Sequence, residues 1–254
     1  QQPAEMISIP FMKLIDTNIS KLTPLVQTWK QQNKSSNASN AIADNFDLLY
    51  ALFEDLKPRY SYPTQGAEPL IPEIQKIWVV MKQLLIEEDA IKDTIIVERI
   101  CKFLRRLVER FHVFCEPLLG DIAEFLVNGY ATTGFGSFLW CSGSIIVIFG
   151  DDDTYPVSPQ IKESVWKFAL SQCGTFVTNF GSLDKTHLNQ HYDIVMDFFS
   201  MVSDLVMFYP KEFILTTELL TNIIDVSLVC VNKLENFDAY LYIIRCLDDI
   251  ISWG

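Results

Sequence analysis

Five basic side chains lie close together in the stretch from Val97 to Phe111, within a chain that is otherwise acidic. The 254-residue chain carries a formal charge of −12, yet four of its six arginines fall in this stretch. The basic residues are Arg99, Lys102, Arg105, Arg106 and Arg110. A guanidinium group presents a planar fork of donors that matches the oxygens of a phosphate or a carboxylate. We therefore predict that these five residues bind a phosphorylated ligand.

A single amphipathic helix would position these basic residues. Apolar residues recur along one side of it, and Arg99, Lys102, Arg106 and Arg110 recur at spacings of three and four along another. The apolar side consists of Ile96, Ile100, Phe103, Leu104, Leu107 and Phe111. A row with this spacing could meet phosphoserines that recur along an extended peptide. The alternative is a solvated face that pairs locally with Glu98 and Glu109, where each exposed ion pair contributes roughly 0 to 1 kcal/mol.

The composition predicts an all-α protein that binds other proteins. Hydrophobic residues make up 49% of the chain, glycines number only ten, and no segment alternates apolar and polar residues in the manner of a strand. The acidic charge disfavours direct binding to nucleic acid or to an anionic membrane, because both reward a broad basic surface. No apolar run reaches the roughly 20 residues that span a bilayer.

Apolar periodicity and breaker residues predict a succession of helices. Their predicted bounds are Met6–Gln31, Ala41–Lys57, Pro72–Leu85, Ile91–Phe114, Pro117–Thr132, Phe138–Phe149, Gln160–Phe180, Leu188–Phe208, Phe213–Leu234 and Phe237–Trp253. The polar stretch Asn33–Asn40 is predicted to be a loop. Helix pairs recur about every 40 to 50 residues, which is the period of HEAT or armadillo repeats.

We therefore predict that residues 1–254 form a single HEAT-repeat α-solenoid, a superhelical array of about five to six antiparallel helix pairs. Neither chain end resembles a polar cap and the chain does not begin with methionine, so we expect it to be cut from a longer array. A compact helical bundle is the structural alternative, since any two-helix rhythm gives a similar period.

The sequence offers no set of residues for catalysis or metal binding. Six cysteines are scattered without C-x-x-C spacing, and we interpret them as reduced core residues. His187 and His191 have the spacing of a metal pair but lack the glutamate of the H-E-x-x-H motif and a third nearby ligand. We expect a protein that is not an enzyme and carries neither a metal nor another cofactor.

Several segments together resemble a known family. They are Ile42–Pro58, Ile74–Leu85, the basic stretch V-E-R-I-C-K-F-L-R-R-L-V-E-R-F, and F-L-W-C-S-G-S-I-I-V-I-F-G at Phe138–Gly150. They resemble the C-terminal half of the importin-β (karyopherin-β) family, and within it the transportin-SR-like import receptors and their fungal relatives. The resemblance covers most of the chain.

The resemblance implies a nuclear import receptor that moves between cytoplasm and nucleus. Such a receptor binds arginine/serine-rich or related RNA-binding-protein cargo, contacts nucleoporins, and releases cargo to Ran-GTP, which it binds mainly through N-terminal repeats. The basic helix would line the concave surface and hold phosphoserines of the cargo. Arg99, Lys102 and Arg105 match the family's basic positions. Glu109 stands where the family has a basic residue, which predicts weaker phosphate binding and less phosphorylated cargo.

A second class of function is compatible with the same residues. A HEAT-repeat scaffold or regulatory subunit could dock an acidic or phosphorylated protein on the basic helix. Binding to arginine/serine-rich peptides and to Ran-GTP would distinguish the two classes.

Overall fold

The computed structural model describes residues 4–86, 89–151 and 153–253, and the side chains of residues 10–85, 89–151 and 153–253. These residues form eleven α-helices and short 3-10 turns, and none of them lies in a β-strand. The helices are α1 Ala4–Gln31, α2 Ser36–Glu54, α3 Ile71–Ile86, α4 Thr94–Phe111, α5 Glu116–Thr133, α6 Gly136–Gly150, α7 Pro159–Ser182, α8 Tyr192–Phe208, α9 Pro210–Leu215, α10 Thr217–Lys233 and α11 Phe237–Trp253. Within the described part of the chain, no helix combines the length and the apolar character needed to cross a membrane.

The chain divides into two compact units, Gln1–Leu118 and Leu119–Gly254. In the first unit, α1 packs on α2 and α3, and α2 packs on α4. Phe53 of α2 is fully buried and makes edge-to-face contacts with Phe103 and Phe111 of α4, at ring-centroid distances of 5.4 and 5.9 Å. These aromatic rings form the core that fixes α4 against α2.

The second unit repeats the same arrangement. Here α8 lies between α6 and α11, while α7 packs on α6 and α10. Helix α6 is buried along most of its length, as its apolar sequence predicts. The hydroxyl of Ser142 is buried in this helix and accepts a hydrogen bond from Gln172 of α7 at 2.8 Å. This hydrogen bond replaces one that the hydroxyl would make with water in the unfolded chain.

Equivalent helices of successive pairs pack side by side in each unit: α2 with α4 in the first, and α6 with α8 and α8 with α11 in the second. This is the packing of an α-solenoid, in which each antiparallel helix pair buries its apolar face on the neighbouring pair. A bundle around one shared core does not produce such rows. The predicted all-α fold of HEAT-type helix pairs is therefore confirmed.

Four of the predicted helices differ from the structure by three residues or more at one or both ends. The helix predicted at Ile91–Phe114 is shorter, because α4 runs from Thr94 to Phe111 and 3-10 turns lie before and after it. Helix α2 begins at Ser36 instead of Ala41, because the hydroxyl of Ser35 accepts a hydrogen bond from the Ala38 amide and caps the helix inside the predicted loop. The predicted Phe213–Leu234 helix is two helices, α9 and α10, separated by Thr216. Helix α8 begins at Tyr192, after a 3-10 turn over Lys185–His191.

Candidate anion-binding surface

Helix α4 presents the five basic residues because its opposite face is buried in the first unit. The carboxylate of Asp93 caps its N-terminus by accepting hydrogen bonds from the amides of Ile95 and Ile96 at 3.1 and 3.2 Å. Its buried residues are Ile96, Val97, Ile100, Cys101, Phe103, Leu104, Leu107, Val108 and Phe111. The basic residues lie on the remaining arc, which faces solvent and one edge of α2.

A buried hydrogen-bond network fixes the start of α4 against α1 and α2. The indole Nε1 of Trp29 donates to Ser39 Oγ at 3.0 Å, and Ser39 Oγ donates to Asp93 Oδ2 at 2.5 Å. Asp93 is also the residue that caps α4. Contacts between α2 and α4 advance together along both helices, from Ser39 with Asp93 to Phe53 with Phe103, so the two helices run parallel.

The carboxylate of Asp47 on α2 bridges the first two basic residues of α4. Its Oδ2 lies 3.0 Å from Arg99 Nε, and its Oδ1 lies 3.0 Å from Lys102 Nζ. Arg99 Nη1 also pairs with Glu98 Oε1 at 2.9 Å. Asp47 and its two partners are each about one-third exposed, at 35% for Arg99 and 36% for Lys102 and Asp47. Water and ligands can therefore reach them.

Glu109 forms a second bridge further along α4. Its Oε1 accepts a hydrogen bond from Arg105 Nε at 2.8 Å, and its Oε2 lies 3.6 Å from Arg106 Nη1. Arg106 is the least exposed of these side chains, at 23%. Two internal carboxylates thus each hold one pair of cations on the same surface.

Tyr50 of α2 lies between the two bridges. Its ring is 4.5 Å from Lys102 Nζ and 4.9 Å from Arg106 Cζ, within the range of cation–π attraction. Its hydroxyl accepts a hydrogen bond from Arg106 Nη2. That hydrogen bond, together with the negative charges of Glu109 and Glu54, raises the pKa of Arg106 despite partial burial. Arginine is protonated at any physiological pH, and these contacts favour that charged form.

Arg110 is placed differently from the other four basic residues. Its Nε atom, like that of Arg106, is buried and has no hydrogen-bond partner among the residues that the structure describes. Asp47 and Glu109 form their ion pairs with the other four basic residues. Its charge adds to the positive potential at the C-terminal end of α4, close to the half-buried ring of His112.

The sequence predicts the basic residues of α4 on one helix face but does not predict their partners on α2. Glu98 and Glu109 are the local partners that the sequence suggests, and both form ion pairs with arginines of α4. Asp47 and Tyr50 cannot be predicted in this way, because they lie more than fifty positions before their partners in the chain. One signal was present in the sequence: Asp47, Tyr50 and Glu54 recur at helical spacing beside the apolar stripe of α2.

The other polar candidates in the sequence are two histidines and six cysteines. His187 and His191 lie in a 3-10 turn, where His187 Nδ1 is 3.3 Å from Asp184 Oδ2. Throughout the described part of the chain, no three His, Cys, Asp or Glu side chains are grouped closely enough to hold a metal ion. All six cysteines are buried, with free thiols.

A family model covers the middle of the chain, including α4. Residues 68–179 match the model described as the Transportin-3/Importin-13 fourth TPR domain. TPR and HEAT repeats are both antiparallel helix pairs that stack on their neighbours, so this description agrees with the packing of the helices.

A relative in Saccharomyces cerevisiae matches the whole chain. It is the mRNA transport regulator MTR10, which is 57% identical over 253 residues, covering 100% of this chain and 26% of the relative. Together, these two matches support a transportin-SR-like fragment of the importin-β family. An uncharacterized protein of Schizosaccharomyces pombe is 25% identical to this chain over 222 residues, which are 87% of the chain and 22% of that relative. The chain thus spans about a quarter of the length of the relatives it matches.

Proposed function

We propose that this chain is part of a nuclear import receptor and that α4 binds arginine/serine-rich or related RNA-binding-protein cargo. The observation that carries this proposal is the concentration of five basic residues on one partly exposed helix face in a chain of net charge −12. The similarity to a yeast mRNA transport regulator supports a role in transport connected with RNA. The function is binding, with no catalytic step.

The contacts of α4 indicate how an anion would bind. The carboxylates of Asp47 and Glu109 occupy the positions of a ligand anion, and each accepts hydrogen bonds or ion pairs from two cations. A phosphate dianion carries more charge and more acceptor oxygens than a carboxylate, so it can replace these internal partners. Arg99, Lys102, Arg105 and Arg106 would hold phosphates, with Arg110 adding positive potential.

The wider role concerns the full-length protein. We propose that it moves between cytoplasm and nucleus, contacts nucleoporins, and releases its cargo when Ran-GTP binds. We also propose that residues 1–254 form one continuous HEAT-repeat array that contributes the cargo surface. Binding of Ran-GTP by the full-length protein tests the receptor role, and failure to bind would remove it.

One observation favours a second candidate, a scaffold that docks an acidic protein. Helix α4 already binds two carboxylates of its own chain, so acidic side chains fit its geometry without any phosphate. A scaffold of this kind would bind an acidic peptide as tightly as a phosphorylated one, and the full-length protein would not respond to Ran-GTP.

Fluorescence polarisation with labelled arginine/serine peptides tests the proposed cargo surface. We expect the protein to bind a phosphorylated peptide more tightly than its unphosphorylated form. Changing Arg99, Lys102, Arg105 and Arg106 together to Ala should weaken binding of the phosphorylated peptide by at least about tenfold, because each loses a charge-assisted contact.

A control variant removes the same charge elsewhere. The lysines Lys13, Lys21, Lys57 and Lys211 are exposed and lie outside α4, and changing all four to Ala should alter affinity by no more than about threefold through the general field. If the α4 variant binds every peptide as tightly as the wild type, α4 is not the cargo surface.

A further inference from the structure

Asp47 occupies the position that a cargo phosphate would need. Both of its carboxylate oxygens are engaged, one with Arg99 and one with Lys102, each at 3.0 Å. An anion that takes the same donors on these two cations must displace Asp47. Glu109 has the same relation to Arg105 and Arg106. Binding at α4 is therefore an exchange of ion pairs rather than the filling of an empty site.

This exchange penalises a ligand that carries only negative charge. Such a ligand would leave the displaced carboxylates of Asp47 and Glu109 without cations and within a few ångströms of its own anionic groups, where like charges repel. A ligand that alternates anions with cations avoids this cost. Its anions take the cations of α4, and its cations take the released carboxylates.

The spacing along α4 fits such an alternating ligand. The Arg99 and Lys102 pair and the Arg105 and Arg106 pair are centred five positions apart, which is about 7.5 Å along a helix that rises ~1.5 Å per residue. In an extended peptide, residues two positions apart lie about 6.6 Å from each other on the same side. Two phosphoserines separated by one arginine can therefore reach both cation pairs.

We propose that Asp47 is a specificity-determining residue, which makes this surface select peptides in which phosphoserine alternates with arginine over peptides with the same phosphates and no arginine. This proposal rests on the proposed function, since it requires α4 to bind a phosphopeptide. It goes beyond that function because it gives α2 a role: Asp47 of α2 recognises the arginines of the ligand.

Two peptides and two single variants test the proposal. One peptide has four repeats of arginine and phosphoserine, and the other has four repeats of glycine and phosphoserine. Asp47→Asn keeps the shape of the side chain and removes its charge. Asp44→Asn is the matched control, because Asp44 is an exposed residue on the same helix and the variant changes the net charge equally. Each affinity is measured by fluorescence polarisation.

We expect the wild type to prefer the arginine-containing peptide. Asp47→Asn should reduce that preference by about three- to tenfold, mainly by tightening binding of the glycine peptide. Asp44→Asn should leave the ratio of the two affinities at the wild-type value. Thermal unfolding checks that each variant is folded, and Asp47→Ser replaces Asp47→Asn if the latter is unstable.

The outcomes separate this proposal from the function on which it rests. If the wild type binds both peptides equally, or if the Asp47 and Asp44 variants shift the ratio equally, Asp47 does not determine specificity. The cargo surface would still stand as long as the fourfold alanine variant of α4 loses the peptides. If that variant keeps them, the cargo surface fails and this proposal fails with it.

Discussion

The basic side chains of α4 act through individual contacts, and those contacts differ in strength. Arg99, Lys102 and Arg105 are about one-third exposed, so their ion pairs are screened by water and each contributes roughly 0 to 1 kcal/mol. Arg106 is less exposed and also donates to the hydroxyl of Tyr50. We infer that an incoming phosphate exchanges more readily with the Asp47 bridge than with the contacts of Arg106.

His112, directly after α4, makes stability depend on pH. Partial burial lowers the pKa of its imidazole, and the nearby charge of Arg110 lowers it further, against a hydrogen bond with the Glu109 backbone. The unfolded chain, with a histidine pKa of about 6.5, therefore binds a proton more readily than the folded chain. The resulting stabilisation is complete above about pH 6.5 and is lost as the pH falls below that value.

We expect the free energy of unfolding to fall more steeply between pH 7 and about 5.5 in the wild type than in His112→Asn. The difference in slope should stay below about 1.4 kcal/mol per pH unit, the limit for one proton. Asparagine is chosen because His112 has a φ of 47°, which asparagine tolerates better than most residues. Urea titrations across this pH range measure both slopes, and equal slopes would show that His112 does not titrate differently on folding.

At the level of elements, the position of α4 depends on the hydrogen bonds at its N-terminus. Ser39 receives the indole donor of Trp29 and donates to Asp93, and both Ser39 and Trp29 are almost completely buried. Removing the hydroxyl would leave the buried indole N–H of Trp29 without this partner, and one unsatisfied buried group costs about 1 to 3 kcal/mol. The carboxylate of Asp93 would keep its hydrogen bonds from the amides of Ile95 and Ile96. The basic surface is thus held in place by buried residues that lie outside it.

Ser39→Ala should therefore destabilise the protein by about 1 to 3 kcal/mol. Ser36→Ala, an exposed change in the first turn of the same helix, should stay within about 0.5 kcal/mol of the wild type. Urea denaturation followed by far-ultraviolet circular dichroism gives both values. If the two variants unfold at the same urea concentration, the network does not contribute to the stability of the unit.

The sequence predicted helices better than the contacts between them. Helical periodicity identified α4 and its basic face, and α11 has the predicted bounds, because both signals are local. The N-cap at Ser35 lies in a polar stretch that has the composition of a loop, so the local pattern does not predict it. The bridge between Asp47 and Lys102 depends on the register of two helices whose contacting residues are 55 positions apart, which no local pattern encodes.

At the scale of the whole chain, the acidic background affects which ligands approach α4. A net charge of −12 repels a purely anionic ligand at long range, while the basic face of α4 attracts it at short range. A peptide that carries both arginines and phosphates meets less long-range repulsion and still supplies anions for the proposed site on α4. The net charge of the chain and the proposed role of Asp47 therefore favour the same class of ligand, the first at long range and the second by direct contact.

The six cysteines report on the integrity of the whole fold. Cys101 and Cys115 lie in the first unit and the other four in the second, and all six are buried. Burial raises the pKa of four of these thiols to about 12, namely Cys115, Cys173, Cys230 and Cys246. At pH 8 these thiols are therefore shielded from reagents and almost entirely protonated, whereas the thiolate is the reactive form.

We expect all six thiols of the native protein to react with iodoacetamide much more slowly than those of the urea-unfolded protein, because modification requires opening of the core. As urea is raised, labelling should increase in the same transition as the loss of helical circular dichroism. Mass spectrometry of the labelled peptides assigns the reaction to each unit. Rapid labelling of any one cysteine without urea would contradict the burial of that thiol and identify the helix pair that opens first.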